Sequence, residues 1–230
     1  MDNILEKISE VKVVPIITLD QADKIVPVIQ SLIDGGLRIA EITLRTKAGA
    51  EAIKIASQEF PDILLGAGTI LTMDHVNLAY ENGARFMVTP GFNPRVVDHC
   101  LQRKITIIPG LNSPTQIEQA LDREINHVKF FPAEASGGIA FINAISGPYG
   151  TIRYMVTGGI NKGNLKEYLS NRYVFACGGS WIVKNELIEQ GRFDKITEQY
   201  VTPKAKRKFK TPPCVNNVGP KCFKYPLDSC

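Results

Sequence analysis

Arg38-Ile39-Ala40-Glu41-Ile42, then an amphipathic stretch from Ala50 to Glu59, then Ile63-Leu64-Leu65-Gly66: two short apolar runs enclose one segment of helical period. Runs of this length and composition read as strands, and the segment between them as a crossover helix. Their near-continuous apolar character fits strands covered on both faces, as in a parallel sheet. The unit repeats outward in both directions. Upstream lies Val11-Lys12-Val13-Val14-Pro15-Ile16-Ile17 with a helix over Ala22 to Ile33. Downstream, strands begin near Phe86-Met87-Val88, Ile105-Thr106-Ile107-Ile108, His127-Val128-Lys129-Phe130, Tyr154-Met155-Val156 and Val174-Phe175-Ala176-Cys177. Helical segments run from His75 to Asn82, Val96 to Gln102 and Thr115 to Leu121, with Gly35-Gly36 and Gly83 as the clearest stops. Eight such units at roughly 20 to 25 residues each predict a (β/α)8 TIM barrel, whereas a doubly wound open sheet normally uses fewer strands.

The 230 residues suffice for one sizeable core. The formal charge of +4 is misleading about that core, because seven of the 27 basic residues lie beyond Pro203 against a single acid, Asp228. The preceding part carries a net −2. The division expected is a catalytic barrel over 1–201 and a basic, Cys- and Pro-containing tail over 202–230, whose lack of periodicity reads as disorder. The opening Met1-Asp2-Asn3-Ile4-Leu5-Glu6 lacks a signal-peptide pattern, and no apolar run approaches the ~20 residues of a membrane span, so a cytoplasmic protein without a membrane partner is expected. The five cysteines form no C-x-x-C pair; Cys100 and Cys177 fall in helix and strand, Cys214, Cys222 and Cys230 in the tail, which argues against a zinc site or a disulfide framework.

In a barrel of this kind chemistry collects where strands end. Lys129 lies inside the sixth strand, where parity puts it with Phe131 on one face and Val128 with Phe130 on the other. A lysine fits only the lumen, and a desolvated amine there has a lowered pKa, which makes the neutral nucleophile available near neutrality. A snorkelling or ion-paired structural lysine is the competing explanation. On the second strand Glu41, Thr43 and Arg45 share a face: Glu41 suits general acid/base work and Arg45 a substrate carboxylate, although an ordinary salt bridge would place the same residues there. Thr157-Gly158-Gly159, before a helix opened by Asn161, and Gly178-Gly179-Ser180, before one reaching Leu187, occupy the two loops that hold phosphate in such barrels. Glycine pairs also occur as plain turns. Gly66-Ala67-Gly68-Thr69 starts like a dinucleotide fingerprint but has Leu71 where the third glycine belongs, and that reading is discarded. His75, His99 and His127 are scattered without metal-ligand pairing, so no metal is expected; His127 reads as a satisfied core histidine.

Taken together, Val14-Pro15-Ile16-Ile17, Glu41-Ile42-Thr43-Leu44-Arg45-Thr46, Gly66-Ala67-Gly68-Thr69, Pro90-Gly91, Ile108-Pro109-Gly110, Lys129-Phe130-Phe131-Pro132-Ala133-Glu134, Thr157-Gly158-Gly159-Ile160 and Gly178-Gly179-Ser180-Trp181 resemble the 2-keto-3-deoxy-6-phosphogluconate aldolase family, which also cleaves 4-hydroxy-2-oxoglutarate. The resemblance covers about residues 11 to 200. It implies a class I, metal-independent and cofactor-free aldolase producing pyruvate and glyceraldehyde 3-phosphate. Lys129 would form the Schiff base and Glu41 move protons. Arg45, Thr69, Pro90, Phe131 and Thr157 would contact substrate, and Gly158, Gly159, Gly179 and Ser180 would hold phosphate. It also implies a homotrimer. The tail matches nothing in that family. The competing readings are another phosphate-binding barrel of the isomerase or synthase type, which has no need of an inward lysine, and a non-catalytic sugar-phosphate sensor. Nucleic acid binding through the basic tail is disfavoured as a third.

Overall fold

The computed structural model describes residues 4–200; the boundary drawn at residue 201, the segment 202–230 and its three cysteines lie outside the described residues. Nine parallel strand segments form one sheet. Two of them are halves of one strand. Numbered by whole strands, these are β1 (Val13–Ile17), β2 (Ile39–Thr43), β3 (Leu64–Gly68), β4 (Phe86–Val88), β5 (Thr106–Ile108 continuing as Gly110–Leu111), β6 (His127–Phe130), β7 (Arg153–Val156) and β8 (Val174–Gly179). β5 is interrupted at Pro109, which has no N–H to offer the ladder. Its first half pairs with β4 and its second half with β6, and the Pro109 carbonyl accepts the Lys129 N–H at 2.8 Å. That joint closes the sheet into an eight-stranded barrel, as the repeat count predicts.

Helices cover the outside: α1 (Ile4–Val11), α2 (Ile25–Asp34), α3 (Ala48–Glu59), α4 (Met73–Glu81), α5 (Pro94–Gln102), α6 (Pro114–Leu121), α7 (Gly138–Ile145), α8 (Leu165–Ser170), α9 (Asn185–Glu189) and α10 (Phe193–Gln199). Among the described residues no helix is long and apolar enough to cross a membrane. Residues 22–24 form a separate 3-10 turn before α2, not the single helix from Ala22 that the periodicity suggests. Gly36 and Gly83 end their helices with φ of +86° and +108°, the left-handed cap that glycine adopts without a Cβ clash.

Side-chain parity sorts the core into two shells. Ala40 and Ile42 of β2, Met87 of β4, Val128 and Phe130 of β6, and Tyr154 and Val156 of β7 pack outward against the helices. Ile39, Phe86, Val88, Ile108 and Met155 fill the lumen with Val14. Ile8 of α1 joins that inner group and is fully buried. α1, which the sequence reading missed, is therefore the plug at the lumen floor. In β8 the register slips: Tyr154 faces Val174 while Met155 faces Ala176, leaving Phe175 as an extra residue. The bulge turns Phe175 inward, edge-on to the His127 ring at 4.9 Å. His127 bonds the Asn126 side chain at 2.7 Å, and burial, with Arg153 nearby, lowers its pKa. It is partnered as expected, but half-buried at the start of β6 instead of in the core.

Candidate active site

Lys129 and Glu41 meet in the lumen above this floor. Register explains why: Glu41 sits opposite Ile16 on one side and Gly66 on the other, and Lys129 opposite Gly110 and Met155. Their side chains are 5% and 1% exposed, and Lys129 Nζ is 3.9 Å from Glu41 Oε1. That distance is within ion-pair reach but too long for a hydrogen bond. Burial drives the Lys129 pKa below the ordinary lysine range; the Glu41 carboxylate opposes the shift and Arg45 adds to it. Burial likewise raises Glu41, against the pull of Lys129 and Arg45. Two groups displaced toward each other in this way are better matched for proton exchange than at their ordinary values, the behaviour wanted of a nucleophile and its acid/base partner.

The pair sits among unmet polar atoms. Glu41 Oε2 and Thr157 Oγ1 are buried without a hydrogen-bond partner among the described residues. Buried polar groups rarely stay unpaired in a finished structure, so these two are what a polar ligand would satisfy. Phe131 lines the same space, with its ring centroid 5.1 Å from Lys129 Nζ. Above Glu41 on the same face, the buried Thr43 hydroxyl pairs with that of Thr18 at 2.8 Å. Arg45, one step further out, is exposed, and its Nε donates to Thr69 Oγ1 at 3.0 Å. Thr69 has φ of +56°. A β-branched residue there is strained by about 1–3 kcal/mol, a cost that concentrates at ligand clamps. The hydrogen bond aims the guanidinium that strand parity had brought to the rim.

Gly66-Ala67-Gly68 proves informative for a reason unrelated to nucleotides. On Gly68 a Cβ would lie 2.0 Å from Glu41 Oε1, and on Gly66 one would strike the Phe86 ring at 2.2 Å. The glycines are the space these side chains fill. Their shared lumen-facing parity was the signal available in the sequence. We expect Gly68→Ala to cost about 1–3 kcal/mol of stability through overpacking. Its kcat should fall by about 100-fold, since about 1 Å of misplacement at a catalytic group has that effect. Thermal melts beside steady-state rates separate the two; a kcat loss no larger than the folding defect would contradict it.

The two glycine loops are where the sequence puts them, with one correction. Gly158 and Gly159 follow β7 with φ of +95° and +85°, but the following helix, α8, starts at Leu165 and not at Asn161, and has six residues. Past β8 the chain turns through residues 180–184 before α9, which starts at Asn185, extends beyond Leu187 and has five residues. After β7 a turn rich in Asn and Gly, residues 159–164, took the position assigned to a first helical turn. A helix dipole is thus not what these loops offer; the glycine peptide groups are. Neither the Gly158 nor the Gly159 N–H donates to another described residue. Gly178 is required because a Cβ there would lie 2.6 Å from Thr157 Cγ2, and Gly179 because one would lie 2.3 Å from Trp181 Nε1. Ser180 is exposed just past β8, and Pro90 is half-buried just past β4. Thr89, beside Pro90, accepts the Gly110 N–H at 2.9 Å and donates to the Gly91 carbonyl at 2.8 Å, fixing that rim. Among the described residues no cluster of His, Cys, Asp and Glu could hold a metal.

The sequence and the fold have counterparts. A family model described as KDPG and KHG aldolase matches residues 4–199. The 2-dehydro-3-deoxy-phosphogluconate aldolase of Treponema pallidum (strain Nichols) is 48% identical over 197 residues, covering 86% of this chain and 94% of the relative. The KHG/KDPG aldolase of Escherichia coli (strain K12) is 36% identical over 186 residues, covering 81% and 87%. A solved structure of KDPG aldolase from Legionella pneumophila, with pyruvate captured at low pH as a covalent carbinolamine intermediate, matches with a TM-score of 0.80 at 37% identity, over 82% of this chain and 91% of that one. With a barrel of the same fold and a family match spanning all but one end of the described chain, this protein belongs to the KDPG and KHG aldolase family.

Proposed function

We propose that the chain cleaves 2-dehydro-3-deoxy-6-phosphogluconate to pyruvate and glyceraldehyde 3-phosphate through a Schiff base on Lys129. The observation that carries this reading is the buried Lys129–Glu41 pair at 3.9 Å, with the lysine pKa lowered and the glutamate pKa raised. The neutral Lys129 amine adds to the C2 keto carbon, and Glu41 delivers the proton that lets the carbinolamine oxygen leave as water. The resulting cationic imine withdraws electrons as the C3–C4 bond breaks and the C4 hydroxyl gives up its proton to the Glu41 carboxylate, which dehydration left free of its own. The C3 enamine is then protonated, and hydrolysis of the imine returns the amine and releases pyruvate. Arg45, aimed by Thr69, suits the C1 carboxylate. Pro90, Phe131 and Thr157 line the path, and the loops at Gly158, Gly159, Gly179 and Ser180 receive the phosphate.

The same site accommodates 4-hydroxy-2-oxoglutarate, which carries the same 2-keto acid end without a phosphate. Assembly as a homotrimer belongs to this reading, supported by the exposed apolar side chains Leu71, just before α4, and Met73 and Leu78 within it. So does a cytoplasmic location, since a phosphorylated sugar acid does not cross membranes unaided. Purified protein should release both products in equal amounts, at an undiminished rate in EDTA, because the imine supplies the electron sink. Absence of cleavage, or its loss to EDTA with recovery on adding a divalent cation, would overturn the reading. An isomerase or synthase would leave Lys129 without a role.

A further inference from the structure

Glu134 takes no part in the chemistry assigned to Lys129 and Glu41, yet it is tied to the Gly158–Gly159 loop through both its backbone and its side chain. Its N–H donates to the Gly158 carbonyl at 3.1 Å, and the Ala133 N–H to that of Thr157 at 2.9 Å, so pairing between β6 and β7 continues past the strands into the loop. A Cβ on Gly159 would lie 2.4 Å from Glu134 Cγ; the stem of Glu134 fills the place a side chain at 159 would need. The Glu134 carboxylate, in turn, accepts a hydrogen bond from the Tyr168 hydroxyl of α8. Tyr168 is fully buried, and Gly138, where a Cβ would lie 2.9 Å from the phenol oxygen, leaves room for it.

The Gly159 carbonyl completes the pattern by accepting from the Asn161 and Asn164 side chains at 3.2 and 3.1 Å. The carbonyls of 157 and 158 are therefore held by backbone N–H groups that follow β6, and that of 159 by side chains at the far end of its own loop. Their peptide planes are set, and with them the direction of the N–H groups an anion would use. We propose that Glu134 is a positioning residue for phosphate: anchored to α8 through Tyr168, it holds the Gly158–Gly159 loop in its anion-accepting shape before substrate arrives. The proposal rests on the phosphate reading of that loop. A loop already ordered spares the binding step the entropy of fixing two glycines, the residues with most freedom to lose.

The test compares a phosphate-dependent quantity with a phosphate-independent one in the full-length protein. The first is KM for 2-dehydro-3-deoxy-6-phosphogluconate. The second is the pyruvate concentration giving half-maximal borohydride trapping on Lys129, a half-reaction that leaves the phosphate loop unused. Glu134→Ala should raise KM on the order of tenfold, with kcat and pyruvate trapping little changed. Tyr168→Phe should do the same, the double variant should be no worse than either single one, and Glu134→Gln, which can still accept from Tyr168, should stay near wild type. Additive effects of Glu134→Ala and Tyr168→Phe, an unmoved KM in both, or equal losses in KM and pyruvate trapping would overturn the proposal. If Glu134→Ala does not fold, Tyr168→Phe and Glu134→Gln decide it by the same readouts. Failure of pyruvate trapping in the wild type would instead remove the Schiff-base reading itself.

Discussion

Lys129→Met is expected to abolish cleavage, lowering kcat by about 10^4-fold or more, as removal of a covalent nucleophile does, while leaving the barrel folded. Methionine fills most of the lysine volume without a charge, so the substitution isolates the amine. The stability side follows from the direction of the shifts. The folded-state pKa of Lys129 lies below its ordinary value of 10.5, so between the two the folded state binds fewer protons. The cost of burying the ammonium is present below the folded pKa and is relieved as pH rises through that window. Glu41 has a folded pKa above 4.5; its contribution is fully present below 4.5 and is lost as pH rises through the raised value. Removing Lys129 removes the charge that holds Glu41 down, so Glu41 keeps its proton to higher pH and is not stranded as an unpaired anion. Calorimetry at mildly acid pH should therefore give Lys129→Met a melting temperature no lower than wild type. A large drop there would mean that the lysine serves the fold.

Glu41→Gln should lower kcat by about 10^2- to 10^4-fold, the range of a positioned acid/base, with KM changed far less. Glutamine fits the space that Gly68 leaves and cannot move the proton. The pH profile carries the more specific signature. Glu41 raises the Lys129 pKa by attraction; without it the amine loses its proton at lower pH. The acid limb of imine formation should then move to lower pH, although turnover is slow. Rate profiles of the two proteins over the acid range check this. A limb shifted upward, or kcat left intact, would contradict the assigned role.

Strand parity alone was enough to place Glu41, Thr43 and Lys129 on one surface, because a period of two leaves a residue flanked by apolar neighbours only one way to face. The eightfold repeat was legible for a similar reason: Val- and Ile-rich runs and glycine-capped helices are local signals. What was not legible depends on distant partners. α1 precedes the first strand and so falls outside the strand-then-helix repeat, and its role comes from Ile8 meeting the lumen floor. Gly68 looked like part of a failed nucleotide motif until Glu41 was placed beside it. The β8 bulge and the break of β5 at Pro109 are register features, set by neighbouring strands. The loops after β7 and β8 were found, but the helix behind the first starts at Leu165, later than Asn161 suggested. The Glu134–Tyr168 bond joins residues 34 apart, beyond any local pattern.

The central claim is that the Lys129 amine becomes covalently bonded to the keto carbon of its substrate. Wild-type protein incubated with pyruvate and sodium borohydride, digested and sequenced by mass spectrometry, tests it most directly. A reduced pyruvate adduct is expected on the peptide containing Lys129, with inactivation in step with its formation and no adduct in Lys129→Met. An unmodified Lys129 in protein that still cleaves the sugar acid, or an adduct on another lysine, would contradict it.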